Sequence, residues 1–260
     1  MALAYDRQGS GEPLVLLHGT GSQRQIWDPV LARLAAQRDV VVPDLPGFGD
    51  SPVLPGGRAP TPTALAAAVV ELLDGLGLAQ PHLAGNSLGG WVALELARAG
   101  RARSVCALSP SGFWSPRELT YARAVLRASR ASALRLLPAA PVLVATAAGR
   151  SALFGHMTAH PARMPAAAAL EAVRNLATCP GWEATLRETA AGRFSRGAEI
   201  DVPVTVAWAE HDRLLLPRQG ARAARALPQA RVVLLRGCGH VPTYDDPGQV
   251  ATVLLRAGGA

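Results

Sequence analysis

Lysine is missing altogether: each of the 26 basic residues is arginine, which points to a GC-rich coding sequence as much as to any function. Cysteine is scarce. Cys106, Cys179 and Cys238 are odd in number, far apart and without a C-x-x-C pair. Neither a disulfide framework nor a zinc site is expected from them, and a reducing cytoplasm suits them. The chain starts Met1-Ala2-Leu3-Ala4-Tyr5-Asp6-Arg7-Gln8, charged at once and without an apolar h-region, so no secretory signal is expected. Long hydrophobic runs are lacking too. The longest weakly polar stretch, 131–149, is interrupted by Arg135, Pro138 and Pro141 and makes a poor membrane span. No motif implies a metal or an organic cofactor.

The 260 residues, 49% of them apolar, suffice to bury a full core and lie near the upper size of a single domain. The net charge of +7 invites a nucleic-acid reading, but its distribution argues otherwise. Residues 113–197 hold 11 Arg against four Glu, while the rest is balanced at 15 against 15. No nucleic-acid motif accompanies the excess, so nucleic acid is not an expected partner. A solvated basic surface is the plain reading, and steering of an anionic substrate the sharper one.

The first part of the chain alternates strands and helices. Pro13 to Leu17 is an apolar run entering a His18-Gly19 loop, and 40–42 is a second β-branched run closed by the turn-rich Pro43-Asp44-Leu45-Pro46-Gly47-Phe48-Gly49. Strands are expected also at 82–85, Ser104–Leu108, 202–208 and 232–235. Helices are expected at 27–36, 63–76 (with Thr61 or Thr63 as N-cap), 88–99, between the last two strands, and from about 248 to 257. Such alternation implies a mostly parallel sheet covered on both faces. From Trp114 to about Arg196 only helical periodicity remains, punctuated by Pro138, Pro161, Pro165 and Pro180. An all-helical block within an α/β alternation reads as an inserted lid, giving a core of 1–112 and 198–260 with a lid of 113–197.

Gly85-Asn86-Ser87-Leu88-Gly89 matches G-x-S-x-G between an expected strand and an expected helix, the context this motif requires. A serine at so sharp a turn exposes its hydroxyl, and neighbours two residues away must be small. A hydroxyl is a weak nucleophile and needs a base. In hydrolases built on such a turn the order is serine, acid, histidine. Of six histidines only His211 and His240 lie near the later strands, and His211 adjoins the candidate acid, so His240 is the expected base. The aspartates between Ser87 and His240 are Asp201 and Asp212. Asp201 precedes its strand, whereas Asp212 follows it, on the sheet edge shared with Ser87 and His240. Glu210 is the alternative acid, and a helix-capping role the plain alternative for Asp212. Oxyanion donors are expected at the backbone N–H of Leu88 and, from the His18-Gly19-Thr20-Gly21 loop, at Thr20, with Gly21 the alternative. Trp91, Phe113 and Trp114 are candidate pocket residues, with core packing the competing role.

The chain resembles the α/β-hydrolase fold family, in particular its cap-bearing bacterial members, over nearly its whole length. The resemblance rests on Leu16-Leu17-His18-Gly19, the stretch from Asp44 to Ser51, Gly85 to Gly90, Trp208 through Asp212-Arg213, and Gly239-His240. The family's nucleophile, acid and base fall on Ser87, Asp212 and His240. Serine at position 87 speaks against close similarity to haloalkane dehalogenases and epoxide hydrolases, which use aspartate there. Two departures matter. Relatives have two strands before the one at Pro13, where about 12 residues are present, so the first edge strand is expected to be missing. Asn86 replaces the more frequent histidine, as in hydrolases that cleave carbon–carbon bonds of ring-fission products.

Three functions follow as expectations. The first is hydrolysis of a carboxylic ester, thioester or lactone through an acyl-enzyme, with a small-molecule acyl substrate as the partner and an anionic group on it suggested by the basic segment. The second is hydrolysis of a carbon–carbon bond in a diketone-like compound. The third is a non-hydrolytic binding protein on the same fold. The sequence is silent on oligomeric state.

Overall fold

The computed structural model describes residues 2–257. Its described strands form one seven-stranded sheet: β1 (Tyr5–Gly9), β2 (Pro13–Leu17), β3 (Asp39–Pro43), β4 (His82–Asn86), β5 (Ser104–Leu108), β6 (Val204–Ala209) and β7 (Arg231–Leu235). Their spatial order is β1-β3-β2-β4-β5-β6-β7, and every pairing is parallel except that of β1 with β3. Strands β4, β5 and β6 are buried along their whole length, and β5 and β6 accordingly carry apolar or small residues throughout.

Side-chain alternation on β2 sorts the core into two layers. Val15 and Leu17 face one side with Leu65, Val69 and Leu73 of α2 (Pro62–Gly75) and Val92 and Leu96 of α3 (Leu88–Arg98). Leu14 and Leu16 face the other with Val30 and Leu34 of α1 (Asp28–Ala35) and Val250 and Leu254 of the C-terminal helix. Helix α2 starts as its sequence dictates: Thr61 Oγ1 accepts from Ala64 N at 3.1 Å, and Pro62 occupies the first turn.

Between β5 and β6 the described elements are helical: α4 (Pro116–Leu136), α5 (Ala140–Ala145), α6 (Ala147–Phe154), α7 (Ala166–Thr178) and α8 (Trp182–Ala190), with short 3₁₀ turns. A capping box of Ser115 and Glu118 starts α4, and a small core of Ala133, Val144, Met164 and Val173 joins α4, α5 and α7. Its arginines serve local structure. Arg130 stacks over the Trp182 ring at 4.9 Å, Arg127 pairs with Glu183 at 3.2 Å, and Arg150 donates to the Val144 carbonyl at 2.7 Å. The chain then closes with α9 (Gly220–Ala226), β7 and α10 (Pro247–Ala257).

Strand β1 is the element sequence patterning did not anticipate. All five of its residues are exposed, so it carries no alternation to read, and its place is fixed by its backbone ladder to β3. It occupies the sheet edge, and among the described residues it alone precedes β2, where the resemblance implied two strands.

Candidate active site

The turn from β4 into α3 holds Ser87 at φ 57° and ψ −116°, a conformation non-glycine residues adopt only when their surroundings over-determine it. Ser87 N donates to the Leu108 carbonyl at 3.0 Å, and Ser87 O accepts from Ser111 N at 3.0 Å. The glycines of the motif are there for space. A Cβ on Gly85 would collide with the backbone of Gly89, and one on Gly89 with the Leu17 carbonyl. Ser87 Oγ makes no hydrogen bond to a described residue, and the side chain lines a cavity.

His240, in the loop after β7, and Asp212, in the loop after β6, meet below that cavity. His240 Nδ1 lies 2.8 Å from Asp212 Oδ2, and both side chains are buried. Asp212 Oδ1 accepts from Leu214 N at 2.9 Å and Leu215 N at 2.7 Å, so the carboxylate is held on both oxygens. A carboxylate only accepts, so the shared proton sits on Nδ1, and in the neutral tautomer that this contact selects Nε2 carries the lone pair. His240 lines the same cavity as Ser87. The alternatives are placed elsewhere. Glu210 is exposed and accepts from Gly237 N at 2.8 Å, the exposed His211 lies 3.9 Å from Glu210, and Asp201 is exposed ahead of β6.

The loop after β2 abuts Ser87: a Cβ on Gly19 would lie 3.1 Å from Ser87 Cβ. Neither Thr20 N nor Leu88 N donates to a described residue, and Thr20 lines the cavity. His18 braces this loop from beneath. It is fully buried, its Nε2 accepts from Leu45 N at 2.9 Å, and its Nδ1 lies 2.8 Å from the Gly19 carbonyl, which makes it a neutral Nδ1–H imidazole. Burial pushes the His18 imidazole down, with Asp44 opposing. Burial moves His82 and His156 the same way.

As pH falls, the unfolded chain therefore binds protons at these histidines before the folded chain does. Their stabilisation is fully present above the unfolded value of about 6.5 and is lost progressively below it, before carboxylates titrate. The midpoint of urea unfolding is expected to drop between pH 7.5 and pH 5.5. An unchanged midpoint would show that the fold does not hold these three histidines neutral.

Three side chains organise the site without having been among its expected residues, although Asn86 had drawn notice for its place in the motif. Asn86 Nδ2 donates to the carbonyls of His240 at 2.9 Å and Leu108 at 3.2 Å, tying the histidine loop to β5. The buried Asp245 accepts from Gly239 N at 2.8 Å, Ala159 N at 2.9 Å and His160 N at 2.6 Å, joining that loop to the helical segment. Asn175 of α7 donates to Gly21 O at 3.0 Å and accepts from Gly49 N at 3.1 Å. The tandem Asp245-Asp246 was the one available signal: Asp246 accepts from Gln249 N at 2.8 Å in the first turn of α10, which leaves Asp245 free for another task.

The cavity measures about 550 Å³ and runs between the loops bearing Ser87 and His240 and the helical segment. Leu126, Leu136, Leu153, Met157, Val173 and Leu176 represent its predominantly apolar wall; among the described residues Glu171 is the sole carboxylate lining it and no arginine does. Trp91, Phe113 and Trp114 do not line it, a correction to the sequence expectation. They pack into the core, Trp91 edge-on to Trp114 at 6.0 Å and Phe113 against Phe194 at 5.7 Å, because their side chains turn away from Ser87 into the layer that α3 covers. Among the described residues no group of three His, Cys, Asp or Glu side chains could hold a metal ion. No helix among them is long and apolar enough to cross a membrane.

The parallel sheet, the strained serine turn and the helical segment over the strand ends define a hydrolase of the α/β class. The chain belongs to the Alpha/beta hydrolase family, which matches residues 14–253. It is 31% identical over 203 residues to epoxide hydrolase EphH of Mycobacterium tuberculosis, covering 73% of this chain and 91% of that one. It is 28% identical to Lipase 3 of a Moraxella species, over 94% of this chain and 76% of the relative. Among solved structures, a thermophilic esterase from Thermogutta terrifontis superposes with a TM-score of 0.77 at 25% identity, covering 98% of this chain and 92% of that one. Similarity to an epoxide hydrolase, which Ser87 spoke against, is thus present along the chain: identity of this kind tracks the shared scaffold rather than one residue.

Proposed function

We propose that this hydrolase cleaves carboxylic esters, or close acyl relatives such as thioesters and lactones, whose acyl part is neutral and apolar. Ser87 attacks the carbonyl, His240 Nε2 takes the hydroxyl proton and passes it to the leaving group, and water then releases the acid by the same route. Asp212 orients His240 and stabilises its cation. The N–H groups of Leu88 and Thr20 receive the oxyanion, each worth about 3–4 kcal/mol to the transition state. Residues 113–197 act as a lid over a core of 1–112 and 198–260.

The observation that carries this reading is the Asp212-clamped His240 opening, together with Ser87, onto an apolar cavity. An epoxide hydrolase reading is less well supported: opening of an epoxide by serine would leave an ether, which water does not cleave, where aspartate leaves an ester. The carbon–carbon reading loses its motive, since the Asn86 amide is committed to the His240 and Leu108 carbonyls. The basic residues of 113–197 stay off the cavity wall, so they do not favour an anionic acyl group either.

A series of p-nitrophenyl esters tests the proposal. Each added methylene that is buried contributes about 0.8 kcal/mol, so kcat/KM should climb about fourfold per carbon from acetate until the cavity is filled. A chain of equal length ending in a carboxylate should be at least tenfold slower, because its charge finds Glu171 and no arginine. Acetate outpacing octanoate, or a faster carboxylate analogue, would overturn the assignment.

A further inference from the structure

One wall of the cavity departs from its apolar character. Ser129 and Ser132, three residues apart on α4, line it together with the half-buried His156, which follows α6. His156 Nε2 lies 2.7 Å from Ser129 Oγ, and the same hydroxyl lies 2.8 Å from the Val125 carbonyl. The hydroxyl has one proton. A serine within a helix gives it to the carbonyl four residues back, so Ser129 accepts from a protonated Nε2 of His156. Nδ1 of His156 is then a lone-pair acceptor, and it has no partner among the described residues. Burial, and next the field of His240, push the His156 imidazole down and keep it neutral. A neutral, half-buried acceptor in an apolar cavity is incompletely satisfied until something donates to it.

We infer that His156 is a specificity residue that accepts a hydrogen bond, through Nδ1, from a neutral donor on the acyl chain. The substrate class is thereby narrowed to esters of apolar acids that carry a hydroxyl or an amide N–H along the chain. The inference rests on the acyl-hydrolase reading of Ser87 for its kinetic consequences, and on the cavity alone for binding. A neutral acceptor selects against a bare alkyl chain, which would leave Nδ1 dry and unpaired, and offers no cationic partner to a carboxylate.

The test uses p-nitrophenyl octanoate and its isomers hydroxylated singly at each carbon from the third to the eighth. In the wild-type chain at least one isomer should match or exceed octanoate in kcat/KM. His156→Leu should lower that isomer about tenfold more than octanoate, mostly in KM, and His156→Gln, which retains an acceptor, should recover part of the difference. Thermal melting of each variant checks folding, and His156→Phe serves if the leucine variant is unstable. A second arm is independent of turnover. On Ser87→Ala, calorimetry with the methyl esters should show the favoured hydroxy isomer binding about three- to tenfold more tightly than methyl octanoate, the range of one net hydrogen bond. That margin should vanish in Ser87→Ala/His156→Leu. Absence of hydrolysis with the binding margin intact would sink the acyl-hydrolase reading and leave His156 in place. Equal binding of all isomers, or the same isomer-to-octanoate ratio with and without His156, would overturn the inference.

Discussion

Ser87→Ala is expected to lower kcat by about six orders of magnitude, the scale on which loss of the nucleophile acts in serine hydrolases. Loss of the attacking atom also removes the acyl-enzyme, so two further signals should disappear together: the burst of p-nitrophenolate at the start of the reaction, and covalent labelling by a fluorophosphonate. The fold should survive. Ser87 Oγ makes no hydrogen bond to a described residue, while the strained backbone is held by Ser87 N on Leu108 O and by Ser111 N on Ser87 O, bonds that alanine keeps. The melting temperature should therefore stay close to that of the wild type. A variant that still labels on the peptide spanning position 87 would place the nucleophile elsewhere, because alanine there offers no atom to phosphonylate.

The serine turn was legible because its backbone geometry dictates residue types. Only glycine fits at 85 and 89, where a Cβ would meet the Gly89 backbone or the Leu17 carbonyl, and that requirement leaves a mark in the sequence. Asp212 and His240 were legible through chain order and through their places after β6 and β7. The helical segment was legible too, since its prolines sit where the helices turn: Pro138 in the turn after α4, Pro161 in the next, Pro165 ahead of α7 and Pro180 ahead of α8. What could not be read depends on tertiary placement. Strand β1 has no buried face and so no periodicity. Trp91 follows Ser87 by four residues, yet the turn of α3 carries it into the core, where its Nε1 donates to Glu95 at 3.0 Å. The opposite error would hide Asp245, whose three N–H donors come from two segments about 80 residues apart in sequence. The arginine excess shows the same limit: composition counts charges, and only the fold says that they stay off the cavity wall.

Asp212→Asn is expected to lower kcat by about four orders of magnitude with little change in folding, by the logic established for triad aspartates. The geometry gives the reason. Oδ1 of Asp212 accepts two backbone N–H groups, from Leu214 and Leu215, and an amide would satisfy them only by turning its oxygen their way. Its NH₂ then faces His240 Nδ1, which must become an acceptor and surrender its proton to Nε2. A protonated Nε2 cannot take the proton of the Ser87 hydroxyl, so the base is held in the wrong tautomer although each atom remains near its place. KM should move far less than kcat, because Asp212 is buried behind the histidine and is not among the residues lining the cavity. Glu210→Gln is the companion measurement. Glu210 is exposed and serves Gly237 N, a bond that glutamine can keep through its carbonyl oxygen, so its kcat should remain within about threefold of the wild type. Should the two variants rank the other way, Glu210 would be the orienting acid, and the 2.8 Å contact between Asp212 and His240 would have no catalytic consequence.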